Sequence, residues 1–227
     1  MHTSCLGVAQ SMLGAVLSEL VDEDHFAGPI PFRLAQIFGL IKRYYGAMNT
    51  PARLANLKKS ILGSRRHWSA LSAKAAETQH LLFVMQFVLR DLNDGSAHHE
   101  HRLRAVCCLI RIYTAFKDGG LVLDPGVADS ALEEMNLLYA HWHWLLCRAM
   151  GRGDLNWPVL QQMHTLYHIV HQSKYLNPRY TWCYQYEDYM RTVVMAAKTS
   201  MAGSPMHIIG SKVIEHALLV LTMGIAP

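Results

Sequence analysis

Leu132-Glu133-Glu134-Met135-Asn136-Leu137-Leu138-Tyr139-Ala140-His141-Trp142-His143-Trp144-Leu145-Leu146-Cys147-Arg148-Ala149 decides the fold class. Its apolar positions, Leu132, Met135, Leu138, Tyr139, Trp142, Leu145 and Ala149, recur at steps of three and four. That is the spacing of one buried stripe on an amphipathic helix. The stretch from 103 to 116 repeats the pattern with Leu103, Val106, Cys107, Ile110, Tyr113 and Phe116. Strand-like alternation is nowhere sustained, so the chain reads as all-α.

Stop signals divide this helical chain into about nine helices in a single domain spanning 1–227. Gly28-Pro29-Ile30-Pro31 ends the first. Thr50 and Pro51 are expected to cap and open a third, as N-cap and first helical residue. A long helix is expected from about 66 to 90, after Gly63-Ser64. Asn93-Asp94-Gly95-Ser96 is a turn, Asp118-Gly119-Gly120 ends a helix, and Asp124-Pro125-Gly126 opens the next. Gly151 to Asp154 and Asn177-Pro178 bracket another, and Ala202 to Pro205 precede the last.

Composition narrows the class. Hydrophobic residues make up 51% of the 227 residues and charged residues 17%, which is incompatible with a disordered chain. A net charge of +4 permits contact with nucleic acid without arguing for it. Of the five cysteines, Cys107 and Cys108 are adjacent and none forms a CxxC pair, which reads as reduced thiols in an intracellular protein. No signal peptide is evident, and no apolar run reaches the about 18 residues of a membrane span.

Five groups of residues could carry chemistry. His164, His168 and His171 fall at i, i+4 and i+7, so their rings share a helix face and could converge on Zn²⁺, with Cys183 or Glu187 as a fourth ligand. The alternative is a helix face whose histidines bond to their neighbours. Trp182-Cys183-Tyr184-Gln185-Tyr186-Glu187-Asp188-Tyr189 wraps aromatics around two acids. Glu187 either lies on the wet side of a helix or is held for metal ligation or proton transfer. His98-His99-Glu100-His101 follows a turn and is expected on the solvated surface. His141-Trp142-His143-Trp144 is expected to place one tryptophan in the core beside an exposed neighbour. Lys58, Lys59, Arg65 and Arg66 form a basic stretch that either touches phosphates or is plain solvated surface. No Gly-rich phosphate loop, GxSxG elbow or HExxH motif is present.

The order of four motifs resembles the C-terminal half of the catalytic region of CACTA-like and KDZ-like eukaryotic DNA transposases. Met1-His2-Thr3-Ser4-Cys5-Leu6-Gly7-Val8 is similar to the family's Asp-x-Met-His…Leu-Gly-Val stretch at its second catalytic aspartate. Lys74-Ala75-Ala76-Glu77-Thr78-Gln79-His80 is similar to its Lys-Ala-x-(Asp/Glu)-x-Arg-His segment, followed in both by an apolar helix. Met163 to His168 is similar to its His-xxx-His helix. Pro178 to Tyr189 is similar to its Pro…Trp-x-Tyr-x-x-Glu element.

The resemblance implies an RNase H-like nuclease with a helical insertion and two-metal Mg²⁺ phosphodiester chemistry. It makes Glu187 the third carboxylate, Glu77 and His80 a supporting pair, and His164 and His168 the helix behind the site. It also implies DNA as a weak partner and the nucleus as the compartment. The departures are specific. The family pattern sets its second aspartate just before the residue matched by Met1, and the first acid and its sheet lie further upstream. Gln79 replaces the family's arginine. One carboxylate cannot hold two Mg²⁺ ions, so the expectation is a transposase-like fragment without activity alone. Helices that normally cover a sheet would expose an apolar face, on Leu6, Val8, Met12, Leu13, Val16, Leu17 and Leu20 or on Trp182 and Tyr184. Such a face would take a protein partner or drive self-association.

Overall fold

The computed structural model describes residues 4–23, 26–63 and 69–181, together with Ser211. The chain divides into two compact units, Met1–Tyr180 and Thr181–Pro227. The described part of the first is all-helical. One π-helical turn, Ser4–Ala9, runs into α1 (Gln10–Asp22). Then follow α2 (Ile30–Ala47), α3 (Ala75–Asp91), α4 (Ala97–Asp118), α5 (Pro125–Gly151) and α6 (Gln161–Gln172), with 3₁₀ turns at Lys59–Ile61 and Pro178–Thr181. That is six α-helices among the described residues where about nine are expected. No strand lies among them.

The largest packing surface joins α4 to α5, the two longest helices, which form a hairpin. Its ends are set by local chemistry. Asn93 and Asp94 accept bonds from the Gly95 and Ser96 amides, and Gly95 takes φ +73. Ser96 Oγ then accepts the His99 amide at 3.1 Å and caps α4. At α5, Asp124 accepts the Gly126 amide at 2.9 Å, and Pro125 fills the first position, where no N–H is needed. The far end of α4 is tied down by Asn177, whose Nδ2 donates to the carbonyls of Phe116, Gly119 and Gly120. These are orphan carbonyls of a helix end, so one buried amide does the work of a C-cap.

The centre of the unit is α1. Met12, Leu13, Val16, Leu17 and Leu20 are all fully buried. The exposed apolar face expected there does not exist among its described side chains: neighbours enclose the helix on nearly every side, its buried Ser11 and Glu19 included. It packs against α2, α3 and the π-turn. Residues 69–73 lie along it, with the Leu71 amide on the Gln10 carbonyl at 2.9 Å and Gln10 Nε2 on the Ala73 carbonyl at 2.7 Å. Gly14 makes that approach possible, since a Cβ there would stand 2.6 Å from Ala70 Cα.

Two expected helices are displaced. Residues 51–58 are not helical, so Thr50 and Pro51 open no helix. The Thr50 amide instead bonds back to the Tyr45 carbonyl, closing the end of α2. The helix expected from about 66 starts at Ala75. Residues 71–73 spend backbone groups on Gln10 of α1 and on Ile61, which competes with helix formation. The large apolar side chains left exposed include Leu121, Val122, Met150, Val159 and Tyr175. Trp182 and Tyr184 lie outside the described residues. No helix among the described residues is long and apolar enough to cross a membrane.

Candidate functional site

One acid sits inside the apolar run of α1. Glu19 is buried, with 4% of its side chain exposed. An ionised carboxylate survives in such a place only if its lone pairs are filled. Trp157 Nε1–H donates to Oε1 at 3.0 Å, and Arg152 Nη2 donates to the same oxygen at 3.1 Å. His98 Nε2 lies 3.0 Å from Oε2, and Arg102 Nη1 3.6 Å from it. Glu19 therefore clamps three segments: α1, the first turns of α4, and the loop after α5.

The clamp extends through Arg102, which is fully buried. It donates to Glu23 at 2.7 Å and lies 3.1 Å from His99 Nδ1, while His99 Nε2 meets the Leu89 carbonyl at 2.6 Å. A carbonyl only accepts, so Nε2 carries the proton and Nδ1 accepts from Arg102. Burial holds the His99 pKa below the usual imidazole value, which keeps the ring neutral in that role. Trp157 is fully buried at φ +61, a left-handed conformation that a bulky side chain adopts only when its surroundings impose it. Its indole packs edge-on against Trp142 at 5.1 Å, and Trp142 in turn donates to the Pro158 carbonyl.

Beside this core lies a half-buried rim of rings. Trp144 of α5 stacks on His101 of α4, with centroids 4.1 Å apart and planes within 2°. His101 Nδ1 faces His141 Nδ1 at 3.0 Å, across the two helices. Arg148 lies over the Trp144 ring at 5.5 Å. The expectation that residues 98–101 are solvated surface is corrected here, because the α4–α5 hairpin folds them inward. His99 is fully buried and His98 and His101 are half-buried, which leaves Glu100 exposed. Trp142 is the buried tryptophan of its motif and His143 is exposed, as expected, but Trp144 is a stacking partner as well.

The other residues singled out from the sequence are scattered. His164 and His168 are exposed on α6 with their Nε2 atoms 3.0 Å apart. His171 turns to stack on Tyr167. Among the described residues no three metal donors converge. Glu77 accepts the Lys74 amide at 3.1 Å and so serves the start of α3. His80 is half-buried, and burial, with the Lys117 charge behind it, lowers its pKa. Lys58 and Lys59 are exposed beside and within the first 3₁₀ turn. Glu187, Cys183, Arg65 and Arg66 lie outside the described residues. Burial pushes the Cys108 thiol up to about 12, which rules it out as a thiolate nucleophile.

The clamp and the ring cluster are what sequence reasoning missed. Two signals pointed to them. Glu19 is an acid flanked by Val16, Leu17, Leu20 and Val21, where a solvated acid has no place. His98/His101 and His141/Trp144 are both i, i+3 pairs, each presenting two rings on one helix face. Comparison with protein-family models, curated proteins and solved structures found no match to this chain.

Proposed function

We propose that this chain is a transposase-like, transposon-derived helical segment that makes weak contact with DNA and does not cleave it alone. The observation that carries the reading is the use made of Glu19. The most deeply buried carboxylate of the described helices is committed to Arg102, Arg152 and Trp157, and so works as a structural clamp rather than as a ligand for a catalytic ion. The all-helical architecture and the order of the four motifs agree with the helical part of the resembled catalytic region. Glu187 matches one of the carboxylates that two-metal chemistry uses in that family. The basic residues Lys58, Lys59, Arg65 and Arg66 supply phosphate contacts, and the nucleus is the compartment this reading entails.

Two assays test it together. Supercoiled and linear DNA incubated with the chain and Mg²⁺ or Mn²⁺ should show no cleavage, and cleavage abolished by Glu187→Ala would overturn the reading. Anisotropy titrations with duplex DNA should show weak, salt-sensitive binding. The salt slope should fall by about 2 when Lys58 and Lys59 are both replaced by Ala. Binding that ignores both salt and these lysines would remove the DNA part.

A second reading, a helical metal-binding or protein-interaction domain, is favoured by the 3.0 Å approach of His164 to His168. Calorimetry with Zn²⁺ on the parent and on His168→Ala decides it. Tight binding lost in the variant supports this reading, and unchanged heats exclude it.

A further inference from the structure

Of the paired nitrogen and sulfur donors among the described residues, one pair bridges two helices. His164/His168 and His143/Cys147 are each one turn apart on a single exposed helix face. His101 and His141 come from different helices and face each other across the α4–α5 seam. Their Nδ1 atoms are 3.0 Å apart. Two nitrogens bound in adjacent positions of one ion, at bonds of about 2.0–2.1 Å, stand about 2.8–3.4 Å apart. The observed separation falls within that range. His101 is also held from turning freely by the stacked Trp144 indole, which itself lies under Arg148.

We infer that His101 and His141 form a two-imidazole site for a divalent first-row transition ion, Cu²⁺ before Zn²⁺, with water completing the shell. The order of preference follows the general rise of affinity toward copper at imidazole sites. The site stands apart from both functional readings above. Without the ion, two neutral rings 3.0 Å apart share one Nδ1–H, one donating and the other accepting. On binding, the donor ring moves its proton from Nδ1 to Nε2. Both Nδ1 lone pairs then face the ion, the rings stay neutral, and no proton is released. Neutral rings are available near pH 7, since burial lowers the pKa of both. His98 carries an additional nitrogen near the same rings: its Nε2 is taken by Glu19, and its Nδ1 is buried without a hydrogen-bond partner. It is not counted as a ligand.

The test uses the full chain with His164→Ala and His168→Ala as the parent, which removes the α6 pair. Cu²⁺ is titrated while tryptophan fluorescence is followed, because an ion beside His101 lies next to the Trp144 ring and quenches it. The expected result is saturable quenching in the micromolar range. It should weaken by about 100-fold in His101→Ala and equally in His141→Ala, since each removes one arm of a chelate. His141→Asn, which keeps a polar group of similar reach, must weaken binding to the same degree. If either alanine variant changes the far-UV dichroism of the metal-free protein, the asparagine variant decides. Quenching unchanged by these substitutions, or lost only with His143→Ala, would overturn the inference. So would the absence of quenching below about 1 mM Cu²⁺.

Discussion

Replacing Glu19 by Ala tests whether the buried carboxylate holds the first unit together. The magnitude follows from its partners. Trp157 Nε1–H, in a fully buried indole, loses its acceptor at 3.0 Å. A buried donor left unmet costs about 1–3 kcal/mol. Arg102 keeps Glu23 at 2.7 Å but loses the second carboxylate at 3.6 Å, leaving a fully buried guanidinium with less compensation. Removing one partner of a buried pair costs about 3–5 kcal/mol when nothing replaces it, and here a neighbour partly does. Arg152 is 43% exposed, so water takes over and it adds little. The sum is about 3–5 kcal/mol, a large share of the about 5–15 kcal/mol that holds a domain folded. Glu19→Gln keeps the size and one acceptor oxygen, and should cost about half as much. Urea unfolding followed by far-UV dichroism and by tryptophan fluorescence measures both. Arg104→Ala, which breaks an exposed pair with Glu100, is the control and should cost under about 1 kcal/mol. If Glu19→Ala costs no more than that control, the clamp is a geometric coincidence and the argument fails.

Other perturbations have equally definite outcomes. Gly14→Ala should destabilise by about 2 kcal/mol or more in the same assay, although alanine is the better helix former by about 1 kcal/mol. Its Cβ meets the Ala70 backbone at 2.6–2.8 Å and nothing there can swing aside. Asn177→Ala should cost about 2–3 kcal/mol by leaving the carbonyls of Phe116, Gly119 and Gly120 unmet, and Asn177→Asp should cost more, since it turns an acceptor toward acceptors. Stability should also fall with acid. Burial lowers the pKa of His99, His101 and His141 from the usual 6.5, so below about pH 6.5 the unfolded chain binds more protons than the folded one. Urea midpoints should therefore drop from pH 7 to pH 5, and the drop should shrink in His99→Gln.

Periodicity is a local property, and what it could report was local. The α4 and α5 stripes were legible because Val106, Ile110, Tyr113, Met135, Leu138 and Leu145 each take their place from the spacing of their own helix. Turn chemistry was legible for the same reason at Asn93–Ser96 and at Asp124–Gly126. The failures came where another segment, distant or adjacent, claimed the backbone groups that local preference would have put in a helix. Residues 69–73 gave up a helix to bond α1. Thr50-Pro51 looks like a helix start but closes the end of α2. Glu19 stood out as an acid in an apolar run, but its partners were illegible because they lie 79 to 138 residues away and no spacing rule connects them. The apolar residues of α1 read as a surface in need of a partner, when later helices of the same chain enclose them.

That enclosure has a consequence for biosynthesis. The helix at the centre of the unit is synthesised well before the loop that supplies its polar partners. Trp157 follows Glu19 by 138 residues. At about 5–20 residues per second of translation, 138/20 to 138/5 gives a delay of about 7–28 s before the carboxylate can meet the indole. During that interval α2 and α3 can already cover Met12, Leu13, Val16, Leu17 and Leu20, while Glu19 still lacks its indole and Arg152 partners. The buried carboxylate therefore gains its full set of partners only once the loop after α5 has been made.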